Sequence, residues 1–316
     1  MKVGIIGLGY WGPNLLRNLA IQENCSIVAY DRDIKQINKL EKQYPQVVFA
    51  KSIDEVLCDE AIEGVVIATP PRTHYDLACS VLDKGKHVFV EKPLTLDSTE
   101  AEALVSKAAA MKKILMVGHT FLFVPEVREI KRLLDEGIIG KLLHIESNRK
   151  NLGKFQSCGV VWDLAPHDIA LLYYFTGLAP DDFNHHTELF SHISSDVADA
   201  AVITMTSKKD SLSYQLNLSW LHPVKERSTY FVGEQGMLIY DMMAKNKVVL
   251  VERRVESCNG EFRHIEGVST TIPIDDTEEP LYKEMREFLA TIKSGKTDCL
   301  SDGQLGLDVV KTIESM

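Results

Sequence analysis

Along the first 120 residues, short apolar β-branched runs alternate with segments whose apolar positions recur at helical spacing. "VGIIG" precedes a helical pattern from Asn14 to Ala20; then come "SIVAYD", a helix through Leu40, "VVFA", and "SIDEVL", where Ser52 and Glu55 have capping-box spacing. "GVVIATP", a helix from about Thr73 to Lys84, "KHVFVEK", a helix from about Ser98 to Met111, and "ILMVGH" complete the series. Strands apolar on both faces, separated by helices of about ten residues, predict βαβ units and a parallel, doubly wound sheet.

After His119 the pattern changes. The helical stretch "PEVREIKRLLDEG" leads to a strand "KLLHIESNR", and a second helix after Asp163 is followed by alternating segments, among them "AAVITMTS", "LSYQLNLSW", "TYFVGEQGMLIYD" and "KVVLVERRV". Period-two alternation of this kind predicts a large open, mainly antiparallel sheet with helices on one face. "LYKEMREFLATIKSG", stopped by Gly295, and "QLGLDVVKTIESM" add two terminal helices. The predicted organisation is an α/β domain over residues 1–120 and an α+β domain over residues 121–316.

Composition adds exclusions. The 316 residues are 45% hydrophobic and 25% charged, with a formal charge of −10 that argues against a general nucleic-acid or membrane-surface binder. Six cysteines without a CxxC pair suggest neither a zinc site nor a disulfide framework, and no metal is expected. The chain opens directly on a strand pattern, and no run approaches the ~18 apolar residues of a membrane helix. A cytoplasmic protein is expected.

"GLGYWG" sets Gly7, Gly9 and Gly12 in GxGxxG spacing between a first strand and a helix, with Asp31 ending the second strand about 20 residues on. That context marks a Rossmann dinucleotide site. Gly7 serves the tight turn, Gly9 the approach to the pyrophosphate and Gly12 the helix packing, while the helix N-terminus faces the anion. Tyr10 and Trp11 lie in the same loop. Asp31 would accept from ribose hydroxyls and repel a 2′-phosphate, favouring NAD over NADP, although Arg32 beside it could serve that phosphate. Thr69, Pro70 and His74 follow the fourth strand and complete the expected cofactor wall with Glu91.

"VFVEKPLT" puts Lys92 at the C-terminal end of the fifth strand, the edge where doubly wound sheets bind ligands, and Pro93 after it could be cis. In "VVWDLAPHDIALLYYFTG", Pro166 predicts a helix starting near Leu164 or Ala165 and stopping at Gly177. Asp163 would then be its N-cap, with His167 and Asp168 in the first turn. The same geometry serves a plain cap or a neutral general base.

"GIIGLGYWG", "ATPPRTHYDLA", "GKHVFVEKPLT", Asp163-x3-His167 and "LYKEMREFLATIKSGK" together resemble the glucose-fructose oxidoreductase and inositol dehydrogenase family of NAD(P)-dependent oxidoreductases. The resemblance implies a Rossmann domain followed by an open-sheet α+β domain, with Lys92, Asp163 and His167 lining the substrate pocket. "GYWGPNLLRN", "NLGKFQSCGVVWDLAPHDIALL" and "SWLHPVKER" look like the branch that oxidises the 3-hydroxyl of nucleotide-linked sugars, such as UDP-N-acetylglucosamine or its uronate. That branch would give Arg149, Lys150 and Asn151 a diphosphate or carboxylate to bind. The implied chemistry is hydride transfer between a sugar carbon and nicotinamide, with His167 taking the hydroxyl proton, Lys92 stabilising the oxygen and Asp163 orienting; the sequence leaves open which of Lys92 and His167 is the acceptor. An inositol or free-sugar dehydrogenase and a non-catalytic dinucleotide sensor are the competing readings. An open sheet with one apolar face also predicts a homodimer or homotetramer joined through it.

Overall fold

The computed structural model describes residues 1–316 apart from 154, 156, 157, 194, 195 and 297. The chain divides into two compact units, the first comprising Met1–Phe123 with Glu278–Glu314 and the second Val124–Thr277 with the last two residues.

The first unit opens with β1 (Lys2–Ile6), α1 (Gly12–Ala20), β2 (Ser26–Tyr30), α2 (Ile34–Glu41), β3 (Val48–Phe49) and α3 (Asp54–Leu57). It continues through β4 (Ile62–Ile67), α4 (His74–Asp83), β5 (His87–Glu91), α5 (Ser98–Ala110) and β6 (Leu115–Gly118). Its six strands are all parallel in the order β3-β2-β1-β4-β5-β6, the doubly wound arrangement that the two-sided apolar runs predict. The expected Ser52/Glu55 box is not the cap that forms. The helix is a single turn capped at Ile53, and Glu55 reaches back to the Lys51 N–H at 3.2 Å.

The second unit holds α6 (Pro125–Asp135), β7 (Leu142–Leu152), α7 (Gly159–Thr176), β8 (Phe183–Phe190), β9 (Ala200–Ser207), β10 (Ser213–Ser219), β11 (Leu221–Gly233) and β12 (Gly236–Asp241). β13 (Val248–Val251), β14 (Arg254–Cys258), β15 (Glu261–Ile265) and β16 (Ser269–Thr271) follow. Eight strands form one sheet, β16-β13-β12-β11-β7-β10-β9-β8, antiparallel except where β10 runs parallel to β7; β14 and β15 pair as a separate hairpin. Alternate residues of β10 (Tyr214, Leu216, Leu218) are buried, and α7 packs against β9 and β10, with Phe175 edge-on to Phe231 of β11 at 4.8 Å between ring centroids.

The two terminal helices, α8 (Pro280–Ser294) and α9 (Gly303–Glu314), belong to the first unit and not to a second domain running to residue 316. Their apolar faces find the parallel sheet. Phe288 meets Phe89 edge-on at 5.8 Å, and a side chain at Gly64 would lie 2.7 Å from Ile292. Gly303 and Gly306 bring α9 equally close to Leu115 and Val117 of β6. A bidentate pair between Arg17 and Glu279, at 2.8 and 2.6 Å, joins α1 to the residue preceding α8. Among the described residues no helix is long and apolar enough to cross a membrane, and none of their His, Cys, Asp and Glu side chains gather in a group of three able to hold a metal ion.

Candidate active site

The glycine turn follows from backbone sterics. Gly7 has φ +99°, a value side chains rarely adopt, and its N–H donates to Tyr30 O at 2.9 Å. A Cβ at Gly12 would stand 2.0 Å from Gly7 O, so helix and turn touch through backbone alone. Gly9 faces open space, with nothing within 4 Å of where its Cβ would be. Asp31 fastens the loop: Oδ2 accepts from Leu8 N at 2.6 Å and Oδ1 from Asp33 N at 2.7 Å, and each oxygen keeps a second lone pair. Arg32 is exposed, Tyr10 is 96% exposed and Trp11 partly so. An open backbone beside a helix N-terminus, with a fixed acid at the end of β2, fits a dinucleotide. Replacing Gly12 with Ala should force the turn apart, costing roughly 1–3 kcal/mol as an overpacked core substitution does. Thermal denaturation would measure the loss, and an NADH fluorescence titration the accompanying weakening of binding.

On the same C-terminal edge, His74 is fully buried and ties two loops together. Its Nε2 lies 2.9 Å from Thr69 O and its Nδ1 2.8 Å from Pro93 O, and the Lys92–Pro93 bond is cis. Burial holds its imidazole below the usual pKa. Thr69 also accepts a hydrogen bond from Thr73 Oγ1 at 2.7 Å, and Pro70 is exposed. The turn that carries Lys92 is thus braced from the loop after β4. Glu91 accepts from Lys92 N at 3.3 Å and from the Trp11 side chain.

In the second unit, α7 starts at Gly159, more than a turn earlier than Pro166 predicts, so Asp163 lies inside the helix and does not cap it. Pro166 lacks the N–H that would bond Trp162 and crowds that carbonyl, but burial of Val160, Val161 and Leu164 offsets the loss. Gly177 stops the helix in the left-handed conformation, as expected. Asp163 accepts from Trp220 Nε1 at 3.1 Å, and half-buried His167 lies one turn on along the same face. Asp168 does different work. It forms a buried two-point ion pair with Arg149 of β7, through Nε and, at 3.3 Å, through Nη2. Arg149 is therefore engaged by a carboxylate of its own chain. Asn151 accepts from Arg227 of β11, which also donates to Lys150 O at 3.0 Å, and Lys150 pairs with Glu226 at 3.3 Å. Burial, reinforced by Arg149, lowers the Arg227 guanidinium pKa to about 10.

Comparison with known proteins decides what these two sets of residues belong to. The model of an oxidoreductase family with an NAD-binding Rossmann fold matches residues 1–119, and that of the GFO/IDH/MocA C-terminal domain matches residues 127–239. The chain belongs to this oxidoreductase family. Among relatives in the family, scyllo-inositol 2-dehydrogenase (NAD(+)) of Bacillus subtilis is 24% identical over 96% of this chain and 89% of its own. The uncharacterized oxidoreductase YdgJ of Escherichia coli is 30% identical, but the match covers only 53% of this chain and 51% of that protein. UDP-N-acetylglucosamine 3-dehydrogenase from Acidithiobacillus ferrooxidans shares the fold at a TM-score of 0.84 and 23% identity, over 100% of this chain and 96% of that one. Family membership makes the chain an oxidoreductase with an NAD-binding Rossmann fold.

Beside the expected residues of the family, the first unit holds two that the sequence did not single out. His119 directly follows β6; both ring nitrogens are buried without a hydrogen-bond partner among the described residues. Burial, then the charge of Lys92, pushes its pKa down to about 3. Glu284 of α8 is fully buried and accepts from Thr120 Oγ1 at 2.6 Å. In sequence, one is a histidine at a strand end and the other a carboxylate in an amphipathic helix, and neither spacing signals burial. The unfolded chain takes up a proton at His119 near pH 6.5 that the folded chain refuses until about pH 3, so this group removes stability as pH falls through that window. Thermal denaturation from pH 7 to pH 4 should show a shallower decline for His119→Leu than for the wild type.

Proposed function

We propose that the chain transfers a hydride between NAD and a secondary hydroxyl or ketone of a sugar, with C3 of a UDP-N-acetylhexosamine or its uronate as the substrate class. The observation that carries the reading is Lys92. It stands at the C-terminal end of β5, on the edge that also bears the open glycine turn, and its loop is held by the bridge of His74 between Thr69 and Pro93. When bound, NAD supplies the hydride acceptor or donor. The ammonium of Lys92 hydrogen-bonds the reacting oxygen and stabilises its developing negative charge. His167 takes the hydroxyl proton in the oxidative direction, and Asp163 orients the substrate or the ring. The nucleotide-sugar assignment is supported by the stretches around Trp11, Asp163 and Trp220, and by the activity named for the structural relative from Acidithiobacillus.

A second reading, an inositol dehydrogenase, is favoured by the near full-length match to the Bacillus enzyme. Absorbance near the reduced-nicotinamide band, followed with NAD and a panel of UDP-sugars and inositols, separates the two. A rise with UDP-sugars alone supports the first reading and a rise with inositols alone the second; no rise with NAD and the alcohols and no fall with NADH and the corresponding ketones, despite cofactor binding, overturns both. We further propose that the face of the eight-stranded sheet opposite α7 joins copies of the chain into a dimer or tetramer, which sedimentation analysis tests.

A further inference from the structure

Half-buried Arg227 in the second unit has no carboxylate within ion-pair distance among the described residues. On β11 it pairs in register with Arg149 of β7, and with Thr229 and Phe231 it follows the alternation that points toward α7, where Phe231 meets Phe175. Two guanidinium groups therefore lie side by side under that helix, and Arg149 takes the carboxylate of Asp168. The Glu226 carboxylate is engaged by Lys150. Arg227 Nη1 donates to Lys150 O at 3.0 Å and to Glu226 O at 2.9 Å, and Nη2 donates to Asn151 Oδ1. Those bonds leave Nε–H and the second proton of Nη2 uncommitted among the described residues, on the same two nitrogens with which Arg149 holds Asp168. Asn151 turns its Oδ1 to the arginine, so its Nδ2 adds donors at the end of β7. This end of the strand is tied to the D-x3-H helix: Gly153 N donates to Trp220 O at 2.9 Å, and Trp220 Nε1 donates to Asp163 at 3.1 Å. Burial and the charge of Arg149 weigh against the Arg227 cation, and Asp168 and Asp163 offset them only in part, so an anion set against it would be held.

We propose that Arg227, positioned by Asn151, binds the anionic group of the sugar substrate, a carboxylate or a diphosphate, and so makes the chain select charged sugars over neutral polyols. The proposal rests on the reading of Asp163 and His167 as residues of the sugar site. A guanidinium suits the task because its planar donors can meet two oxygens of one carboxylate or phosphate. The bonds to Lys150 O, Glu226 O and Asn151 fix the group before any ligand arrives, which lowers the ordering cost of binding. A neutral polyol covering the same spot would remove water from the cation without replacing it by a partner, and the site rejects it on that account.

Steady-state kinetics with UDP-N-acetylglucosamine, its uronate, D-glucuronate and myo-inositol, on the wild type, Asn151→Asp and Arg227→Lys, tests the assignment. Asn151→Asp keeps the oxygen that accepts from Arg227 and supplies the missing counter-ion from within the chain, so it should fold as stably as the wild type while closing the site to anions. KM for the anionic sugars should rise about 10- to 100-fold, as when a hydrogen bond to a charged group is lost, and the loss should fall on KM rather than kcat. Arg227→Lys keeps the charge without the two-point grip and should lie between. A loss confined to the two uronates identifies the carboxylate as the group held, and one confined to the two UDP-sugars identifies the diphosphate; either supports the proposal. An unchanged KM in both variants overturns it, as does a fall in kcat and melting temperature with KM unmoved, the mark of a merely structural arginine. A wild type that prefers myo-inositol to every anionic sugar overturns it without any variant. If no sugar is turned over, equilibrium titration of the same sugars against the same chains decides: anion binding that Asn151→Asp abolishes leaves the site standing and the hydride-transfer reading fallen, and failure of every anionic sugar to bind the wild type overturns the site.

Discussion

Lys92→Met leaves a chain that binds NAD and no longer turns over its sugar substrate. The loss should be roughly 10²–10⁴-fold in kcat/KM, the range expected when a positioned proton-transfer group or an oxyanion donor is removed. Methionine keeps the length and apolar stem of the side chain, and the surrounding contacts use groups it does not alter: the residue 92 N–H on Glu91 and the Pro93 carbonyl on His74. NADH affinity, read by fluorescence, should change little, because the glycine turn and Asp31 are untouched. Turnover within a few-fold of wild type would remove Lys92 from the chemistry. Loss of NADH binding together with turnover would show that the substitution had disturbed the loop instead.

The largest expected effect on stability lies in the second unit. Arg149 and Asp168 are about 4% exposed, and each relies on the other for its charge. Arg149→Met strands a carboxylate beneath the sheet, close to Tyr214 and Tyr240, whose hydroxyls burial and the charge of Asp168 push toward the neutral form. Breaking one side of a buried pair typically costs about 3–5 kcal/mol. The double replacement Arg149→Met with Asp168→Leu should recover much of that loss, since it leaves no charge uncompensated. Urea unfolding of the two variants and the wild type gives the comparison. Equal stability of the single and double variants would mean that Asp168 finds another partner once Arg149 is gone.

What the sequence makes legible follows from what burial does to residue choice. The six parallel strands are apolar on both faces and the sheet of the second unit alternates, so both classes can be read from period alone. The glycine turn is equally readable, because only glycine accepts the φ of Gly7 and the contact of Gly12 with the Gly7 carbonyl. Other features depend on partners far along the chain. The amphipathic faces of α8 and α9 announce burial without saying against what, and the small residues that admit them, such as Gly64, look like ordinary strand glycines. Pro166 gives a correct local rule that tertiary packing of α7 overrides. Arg149 reads as part of a basic loop until Asp168 appears beneath it, and the hydrogen bond from Thr120 to Glu284 joins residues 164 positions apart.

The return of the last two helices to the first unit makes that unit discontinuous along the chain, with 154 residues of the second inserted between Phe123 and Glu278. A nascent chain therefore completes its parallel sheet early in synthesis yet must wait for the final helices before Phe89, Leu115 and Val117 are covered. The second unit can condense during that interval, while the nucleotide-binding unit still exposes apolar surface to chaperones and aggregation. A fragment ending at Phe123 reproduces this unfinished state permanently, and should be recovered soluble only when residues 278–314 are supplied alongside it.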